Sequence, residues 1–413
     1  MNSASPASPR VLVSGASISG LTFACWLVRY GFTVTVVERA PHLRPGGQAL
    51  DVRGPALTVA ERMGILATLR EHSTRLTGFS MVDADGKETH RSEERTLTGG
   101  RFDSPDVEIM RDDLCRVLHE AVGNRVEFLF NDSIASLTQE ALGVDVTFER
   151  AAPRRFELVV GADGLHSRVR RLAFGPEEQF LRRLGNSYVA VFGMPNFLGL
   201  ERWEVMYQDE GTGVGAMVMA LRKDANARAY VGFTAAEPVA YDPRDIAAQK
   251  RLMAERLSGG GWVLPRIVEH MMTAPDFHFD SISQIRMDGW SRGRIVLVGD
   301  AGYSVALASG QGTSVAMVGA YVLAGELAVH RDDLARGIAS YENALRDYVV
   351  RNQDIAFEQH ARNAALQASA ADRPTDEGES ATEEDLPDFG ALTLPFEFKD
   401  YGPVIPHVRS GGA

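Results

Sequence analysis

Val11-Leu12-Val13-Ser14-Gly15-Ala16-Ser17-Ile18-Ser19-Gly20 reads as a short buried strand, a glycine turn and the start of a helix. Leu21 to Tyr30 has helical spacing and stops at Gly31, a natural C-cap. Thr33 to Val37 is a second β-branched strand, ending at Glu38. Strand, glycine turn, helix and strand make a βαβ unit, so the chain opens as an α/β fold. Gly15 and Gly20 occupy the outer positions of the dinucleotide fingerprint, one for the tight turn and one for close helix packing. Ser17 stands at the middle position, usually glycine, where its N–H still points outward. With Ile18 and Ser19 it opens a helix whose free N–H groups and positive dipole end suit a phosphate. Alone, such a turn also occurs without a ligand. Glu38 adds to it, because a carboxylate at the end of the second strand takes the hydroxyls of an adenosine ribose. Arg39 follows directly and is the one neighbour that suits a 2′-phosphate.

Outward from this unit, Arg39–Gly54 is rich in Gly, Pro and Arg and reads as a loop. Pro55–His72 and Ile109–Val122 read as helices, and Val126–Phe130 as a strand. Ser187–Phe192, Trp203–Tyr207, Gly213–Leu221 and Ala229–Phe233 alternate with turn signals and read as strands. Pro243–Leu257 reads as a helix inside this sheet-rich insert. Arg294–Val298 returns to a buried strand, followed by a glycine-rich turn and a long helix from about Thr313. A second long helix covers about Asp333–Ser369. Residues 372–388 hold eight acids against Arg373 alone and read as a solvated surface loop. The expected organisation is therefore a discontinuous Rossmann-like domain, 1–183 and 285–330. A sheet-rich substrate domain, 184–284, is inserted in it, and 331–413 form a C-terminal helix and acidic tail.

Composition narrows the function. The 413 residues are 45% hydrophobic and 24% charged, ordinary for a globular protein, and carry a net charge of −12. No basic block stands out, which argues against nucleic acid as a partner. Two cysteines, Cys25 and Cys115, leave no disulfide framework or Cys-rich zinc site, and the scattered histidines suggest no metal. The apolar stretch Val315–Val329 is interrupted by Gly319, Gly325 and Glu326 and is too short for a membrane span. No export signal is visible, so a cytoplasmic location is expected. Gly-x-Ser-x-Gly, His-Glu-x-x-His and Walker patterns are absent from the sequence.

Three further segments are specific. Leu158-Val159-Val160-Gly161-Ala162-Asp163-Gly164-Leu165-His166-Ser167-Arg168 is a strand running into a turn. Ile295-Val296-Leu297-Val298-Gly299-Asp300-Ala301-Gly302 is another, followed by Gly310-Gln311-Gly312-Thr313. Arg111 stands in Met110-Arg111-Asp112-Asp113-Leu114. With the opening unit these motifs resemble the class A flavin monooxygenases. That is the para-hydroxybenzoate hydroxylase-like family that includes tetracycline-inactivating and polyketide-hydroxylating enzymes. The resemblance runs from Val11 to about Asn352. It implies FAD as resident cofactor and NADPH or NADH as a transient reductant. It also implies that Asp300, beside Gly299, holds the ribityl chain, and that Gly310, Gln311, Gly312 and Thr313 lie along the flavin ring. Arg111 would hold the pyrophosphate or ribityl oxygens, and Asp163 would shape a turn shared by FAD and the nicotinamide donor. Asp51 would contact FAD, Arg44 would meet NAD(P)H phosphates, and Arg53 would face the flavin or the substrate. Where relatives often carry His and Pro after Gly-Asp-Ala, Gly302-Tyr303 and Ala306-Leu307 stand here.

The implied reaction is hydroxylation of an aromatic or polycyclic small molecule with dioxygen, through a flavin hydroperoxide. The cofactor carries the chemistry, so no obligatory nucleophile or acid–base pair is expected. Trp203, Met206, Met217, Met219 and Phe233 are candidates for the substrate wall. Other readings stay open. One is a flavin-dependent reductase or oxidase of a prenyl or polyketide substrate. Another is a non-catalytic flavin binder. A flavin halogenase fits poorly, because Gly261-Trp262-Val263-Leu264-Pro265 lacks the Trp-x-Trp-x-Ile-Pro pattern.

Overall fold

The computed structural model describes residues 8–209, 211–371 and 390–402. The acidic run 372–388 lies outside the described residues. One sheet has six strands, in the order Ser291–Arg292, Ile295–Leu297, Leu158–Gly161, Arg10–Ser14, Thr33–Glu38 and Glu127–Phe130. All neighbours are parallel except at the Ser291–Arg292 edge. Leu12, Val159 and Val296 are completely buried, as expected for a parallel sheet covered on both faces. From the Arg10–Ser14 strand the chain winds outward in both directions. The carboxyl ends of Arg10–Ser14 and Leu158–Gly161 thus flank a topological switch point, where doubly wound folds open a binding crevice.

The Ile18–Arg29 and Gly312–Val329 helices pack on each other beside this sheet. Gly312–Val329 is buried from Ser314 to Leu327. Its length and composition alone would let it cross a membrane, but a helix apolar all round is here the core of the fold. The long Leu334–Ala371 helix packs against it, and Tyr341 donates its hydroxyl to the Leu297 carbonyl at 2.9 Å.

The second, broad sheet has seven strands. Their order is His278–Ile285, Leu181–Pro195, Asn226–Thr234, Val214–Ala220, Trp203–Asp209, Phe79–Val82 and Glu88–Ser92. One face packs on the Ile246–Arg256 and Leu264–Thr273 helices through Tyr188, Phe192, Val218, Phe233, Met253 and Ile267. The register defines the other face. One row runs Phe79, Glu204, Met219, Arg228, Gly193; the next runs Met81, Met206, Met217, Tyr230, Val191, His278; a third ends at Val189 and Asp280. This face meets the first unit at Tyr230, whose hydroxyl accepts from Ala49 N–H at 2.7 Å.

Several sequence expectations change. The Arg39–Gly54 loop contains a strand, Ala49–Val52, paired antiparallel with Val107–Met110. Ile109 and Met110 therefore belong to a strand, and the helix begins at Arg111. Pro55–His72 breaks into Pro55–Met63 and Leu66–Glu71, because Gly64 adopts the left-handed cap at φ +76°. The sheet-rich region takes in Phe79–Val82 and Glu88–Ser92 from far upstream, so the broad sheet is not confined to 184–284. Trp203 and Phe233 lie on the opposite face from Met206 and Met217, by the alternation of the strands.

Phe79 tests the reach of the broad sheet. It is completely buried although it lies outside the sheet-rich segment. Phe79→Ala should cost about 3–5 kcal/mol by removing a buried aromatic and leaving a cavity. The check is the urea midpoint, and a shift near zero would detach this strand from the core.

Candidate active site

The turns at the switch point are packed without room for side chains. Gly15 sits at φ +108°, and a Cβ there would lie 2.5 Å from the Ala162 carbonyl oxygen. A Cβ on Gly20 would strike the Gly15 carbonyl, and one on Gly299 would strike Ser19 Oγ. The fingerprint turn, the Asp163 turn and the Gly299-Asp300 turn are thus one packed unit. Ala316, on the helix that starts at Gly312, also meets Gly299. Gly15 therefore serves the turn-to-turn contact and not only access to a pyrophosphate.

Around this unit lie half-buried Ser17, Ile18, Ser19, Gly310, Gly312 and Thr313. The first N–H groups of Ile18–Arg29 have no partner within their helix. Glu38 accepts from Ala16 N–H at 2.8 Å and Ala40 N–H at 2.9 Å, which fixes its carboxylate across the turn. Arg39 is exposed beside it. Gly310 is left-handed at φ +62°. A Cβ on Gly312 would meet nothing within 4 Å. No protein atom demands glycine there, whereas a flat group lying on the backbone would.

Asp300 is exposed, yet protein closes round it in a concave cleft. Burial pushes its carboxyl up to about 6, against the Ser304 hydrogen bond. His278 and Arg44 are exposed in the same sense. Burial, with Arg44 as next contributor, holds His278 at about 4, and burial followed by Arg111 brings Arg44 down to about 10. Arg111 is 5% exposed and spans the rim. It donates to the carbonyls of Arg44 at 2.6 Å and Gly46 at 3.0 Å, and its other arm lies 3.7 Å from Cys115 Sγ. Cys115 in turn sits 3.8 Å from Ser17 Oγ. Gly46 N–H donates to Asp112. Arg228 and Asp276 pair across from Gly46, closing the broad sheet onto the loop.

Three expected site residues are engaged in contacts within the protein. Arg53 is completely buried and cannot face a substrate. Its guanidinium meets Asp51 at 2.5 Å and donates to the Gly99 carbonyl, while its backbone N–H and C=O both bond Ser314. Asp51 is committed to that pair through one oxygen; burial pushes its carboxyl up and Arg53 pulls it back. The Asp163 carboxylate caps the Arg168–Ala173 helix, accepting from Ser167 at 2.5 Å and the N–H groups of Arg168 and Val169. It shapes its turn from beneath.

Other residues were not foreseen. Thr98 Oγ lies in hydrogen-bond contact with Glu108 and at 2.6 Å from Glu204. A hydroxyl carries one proton, so one of these carboxyls must donate its own. Burial pushes both carboxyls up, Glu204 to about 8. His166 lies 2.8 Å from Glu177 and 3.1 Å from Asp280, and Arg170 ties Glu177 to the carbonyls of Leu165 and Ala301. His166 stands in the strand-to-turn segment Leu158–Arg168. Its partners are 11 and 114 residues away, so no local pattern could show them.

The chain matches the FAD binding domain family over residues 9–354. It is 53% identical over 343 residues to an uncharacterized protein of Mycobacterium tuberculosis, covering 83% of this chain and 91% of that one. A flavin-dependent monooxygenase of Legionella longbeachae is 38% identical over 346 residues, covering 83% and 87%. The crystal structure of the tetracycline destructase Tet(51) superposes with a TM-score of 0.82 at 30% identity, covering 96% of this chain and 100% of that one. The chain belongs to the FAD-dependent monooxygenases. The monooxygenase cofactor is FAD, and the glycine turns, helix N-termini and cleft-facing Asp300 fit it.

Asp300→Ala should weaken FAD binding about ten- to a hundredfold, the loss of a charge-assisted hydrogen bond. Asp163→Ala should lower the melting temperature more than the FAD affinity. Titration of apoprotein with FAD, beside thermal melts, separates the two. His166 gives a pH test. Burial opposes its charge, but the bonds to Asp280 and Glu177 outweigh this and raise it to about 9. Its contribution is fully present below the unfolded value of about 6.5 and is lost as pH rises through about 9. The stability gap between wild type and His166→Gln should therefore narrow from pH 6.5 to above pH 9; a constant gap would show no charge in that contact.

Proposed function

We propose that this monooxygenase hydroxylates an aromatic or polyketide-like small molecule, with dioxygen as oxidant and NADPH or NADH as reductant. The observation that carries the reading is the cleft at the switch point. Asp300 opens a short helix that packs on the His278–Ile285 strand of the broad sheet, and the row on that sheet runs His278, Val191, Tyr230, Met217, Met206. Likeness to a tetracycline destructase supports a multi-ring substrate. A cytoplasmic location fits an enzyme that draws on NAD(P)H.

Bound FAD supplies redox chemistry with the nicotinamide donor and with dioxygen. The chain's own residues bind and orient. Ser17, Ile18 and Ser19 would present the free N–H groups of the helix start to the pyrophosphate, with Arg111 nearby, while Gly15, its own N–H given to the Val37 carbonyl, and Gly20 shape the turn. Glu38, with Arg39 beside it, holds the adenosine ribose. Asp300, after Gly299, takes the ribityl hydroxyls. Gly310, Gln311, Gly312 and Thr313, at the start of Gly312–Val329, would hold the flavin, and the positive end of that helix would favour negative charge on it. Arg44 receives phosphate from the visiting nicotinamide nucleotide. His278, neutral at pH 7, offers hydrogen bonds without charge. Asp51, Arg53 and Asp163 act from behind by fixing the elements that carry these groups. The broad sheet, packed on the Asp300 helix through the His278–Ile285 strand, would shield the bound flavin from water.

The test is a screen of phenolic and polycyclic compounds for stimulated NAD(P)H consumption, with labelled dioxygen and labelled water. The product should gain one oxygen atom, drawn from dioxygen. Label from water, or oxidation with peroxide released and no oxygen gained, would replace hydroxylation by a reductase or oxidase reaction.

A further inference from the structure

We propose that the C-terminal strap, residues 390–402, is a positioning element of the flavin loop, with Thr393 as its contact residue. This rests on the assignment of Gly310–Thr313 to FAD. The strap lies beyond the family match, which ends at residue 354. It nonetheless packs on the core of the FAD-binding unit. Leu394, Phe396, Phe398 and Tyr401 join the main hydrophobic cluster. Phe396 meets Tyr348 edge-on with centroids 5.2 Å apart, and Phe398 and Tyr401 meet Tyr321 at 5.5 and 5.3 Å. Arg62 lies over the Phe398 ring and donates to the Lys399 carbonyl.

The strap also completes a charge. Glu326 is 2% exposed in the middle of the core. Lys399 Nζ lies 2.5 Å from its carboxylate, and the Tyr401 hydroxyl donates to the same oxygen at 3.2 Å. A carboxylate buried in an apolar helix needs such a partner. The Tyr401 ring fills the space where Gly325 would carry a Cβ.

At its other end the strap reaches the flavin loop. Gln311, completely buried, donates from Nε2 to Thr393 Oγ1 at 3.3 Å. The Thr393 methyl occupies the space where Gly54 would carry a Cβ. Thr393 is thus wedged between Gly54 and Gln311. Just beyond, Ser314 clasps the backbone of Arg53. Gln311 is the cap residue of Gly312–Val329, so its placement sets the direction of the first N–H groups of that helix. Thr393 acts on FAD through Gln311 and is a positioning residue.

The test compares wild type, Thr393→Ala and Thr393→Ser, titrating apoprotein with FAD by flavin fluorescence and recording the visible band of the bound flavin. Wild-type binding of FAD checks the cofactor assignment; the ratio of variant to wild type checks the strap. Thr393→Ala should raise the FAD Kd about two- to tenfold and shift the flavin band, with the apoprotein melting temperature unchanged. Thr393→Ser should restore affinity and band, because it keeps the hydroxyl. A chain ending at Phe389 should bind FAD more weakly than Thr393→Ala does. Wild-type FAD affinity and flavin band in Thr393→Ala would overturn the proposal and leave the strap as packing alone.

Discussion

Three turns meet at the carboxyl ends of the central strands with no space for a β-carbon between them. Gly15 lies against the Ala162 backbone, Gly20 against Gly15, and Gly299 against Ser19. Backbone polarity is therefore concentrated in a small volume, where Gly15 and Ala162 give their N–H groups to the sheet and the first N–H groups of the Ile18–Arg29 helix stay without a helical partner. A loop free to move would let water take those groups. Packed turns hold them in place before any ligand arrives, and preorganisation of this kind lowers the ordering cost of binding. The rest of the molecule supports the arrangement. Asp163 and Ser167 cap the helix under one turn. Arg170 joins that helix to Ala301 beyond another.

Polar contacts fix how the broad sheet sits on this unit. Tyr230 meets Ala49, Arg228 and Asp276 meet the Gly46 loop, and Thr98 joins Glu108 to Glu204. The last of these is costly. Two carboxyls share one hydroxyl, and one must stay protonated to make the contact at all. A buried pair of this kind stabilises little by itself, but it rejects any register in which its partners are missing. The seat of the broad sheet on the first unit is thereby set by hydrogen-bond geometry as well as by apolar packing.

The first βαβ unit was legible because its signals are local. The run Val11–Val13, Gly15, Gly20, Gly31 and Glu38 fall within about thirty residues and each has a direct conformational meaning. The broad-sheet strands were legible where alternation repeats, as in Ala229–Phe233. Ala49–Val52 was hidden: four residues pair with Val107–Met110, and nothing near either segment announces the other. Phe79–Val82 joined the broad sheet for the same non-local reason. Arg53 shows the limit for sites. An arginine beside a flavin motif suggests contact, but Asp51, Asp106 and Gly99 enclose it, and only the fold reveals that. Thr393 carried no signal at all, being a lone threonine beyond every motif.

The electrostatics of the cleft follow from its enclosure. Asp300 is pushed up, His278 down and Arg44 down, and in each case burial is the leading cause. All three shifts favour the uncharged form, so the cleft penalises an isolated charge at any of these points. The penalty is relieved where an opposite charge is supplied. A phosphate beside Arg44 and Arg111 would offset the burial that lowers Arg44 and would be held more strongly in the same low polarity. Met206, Met217 and Val191 share the broad-sheet face with His278, whose charge burial disfavours, and Arg228 on the same face is paired with Asp276. The arginine rim therefore favours an anionic group, and the apolar row of the sheet favours an uncharged one.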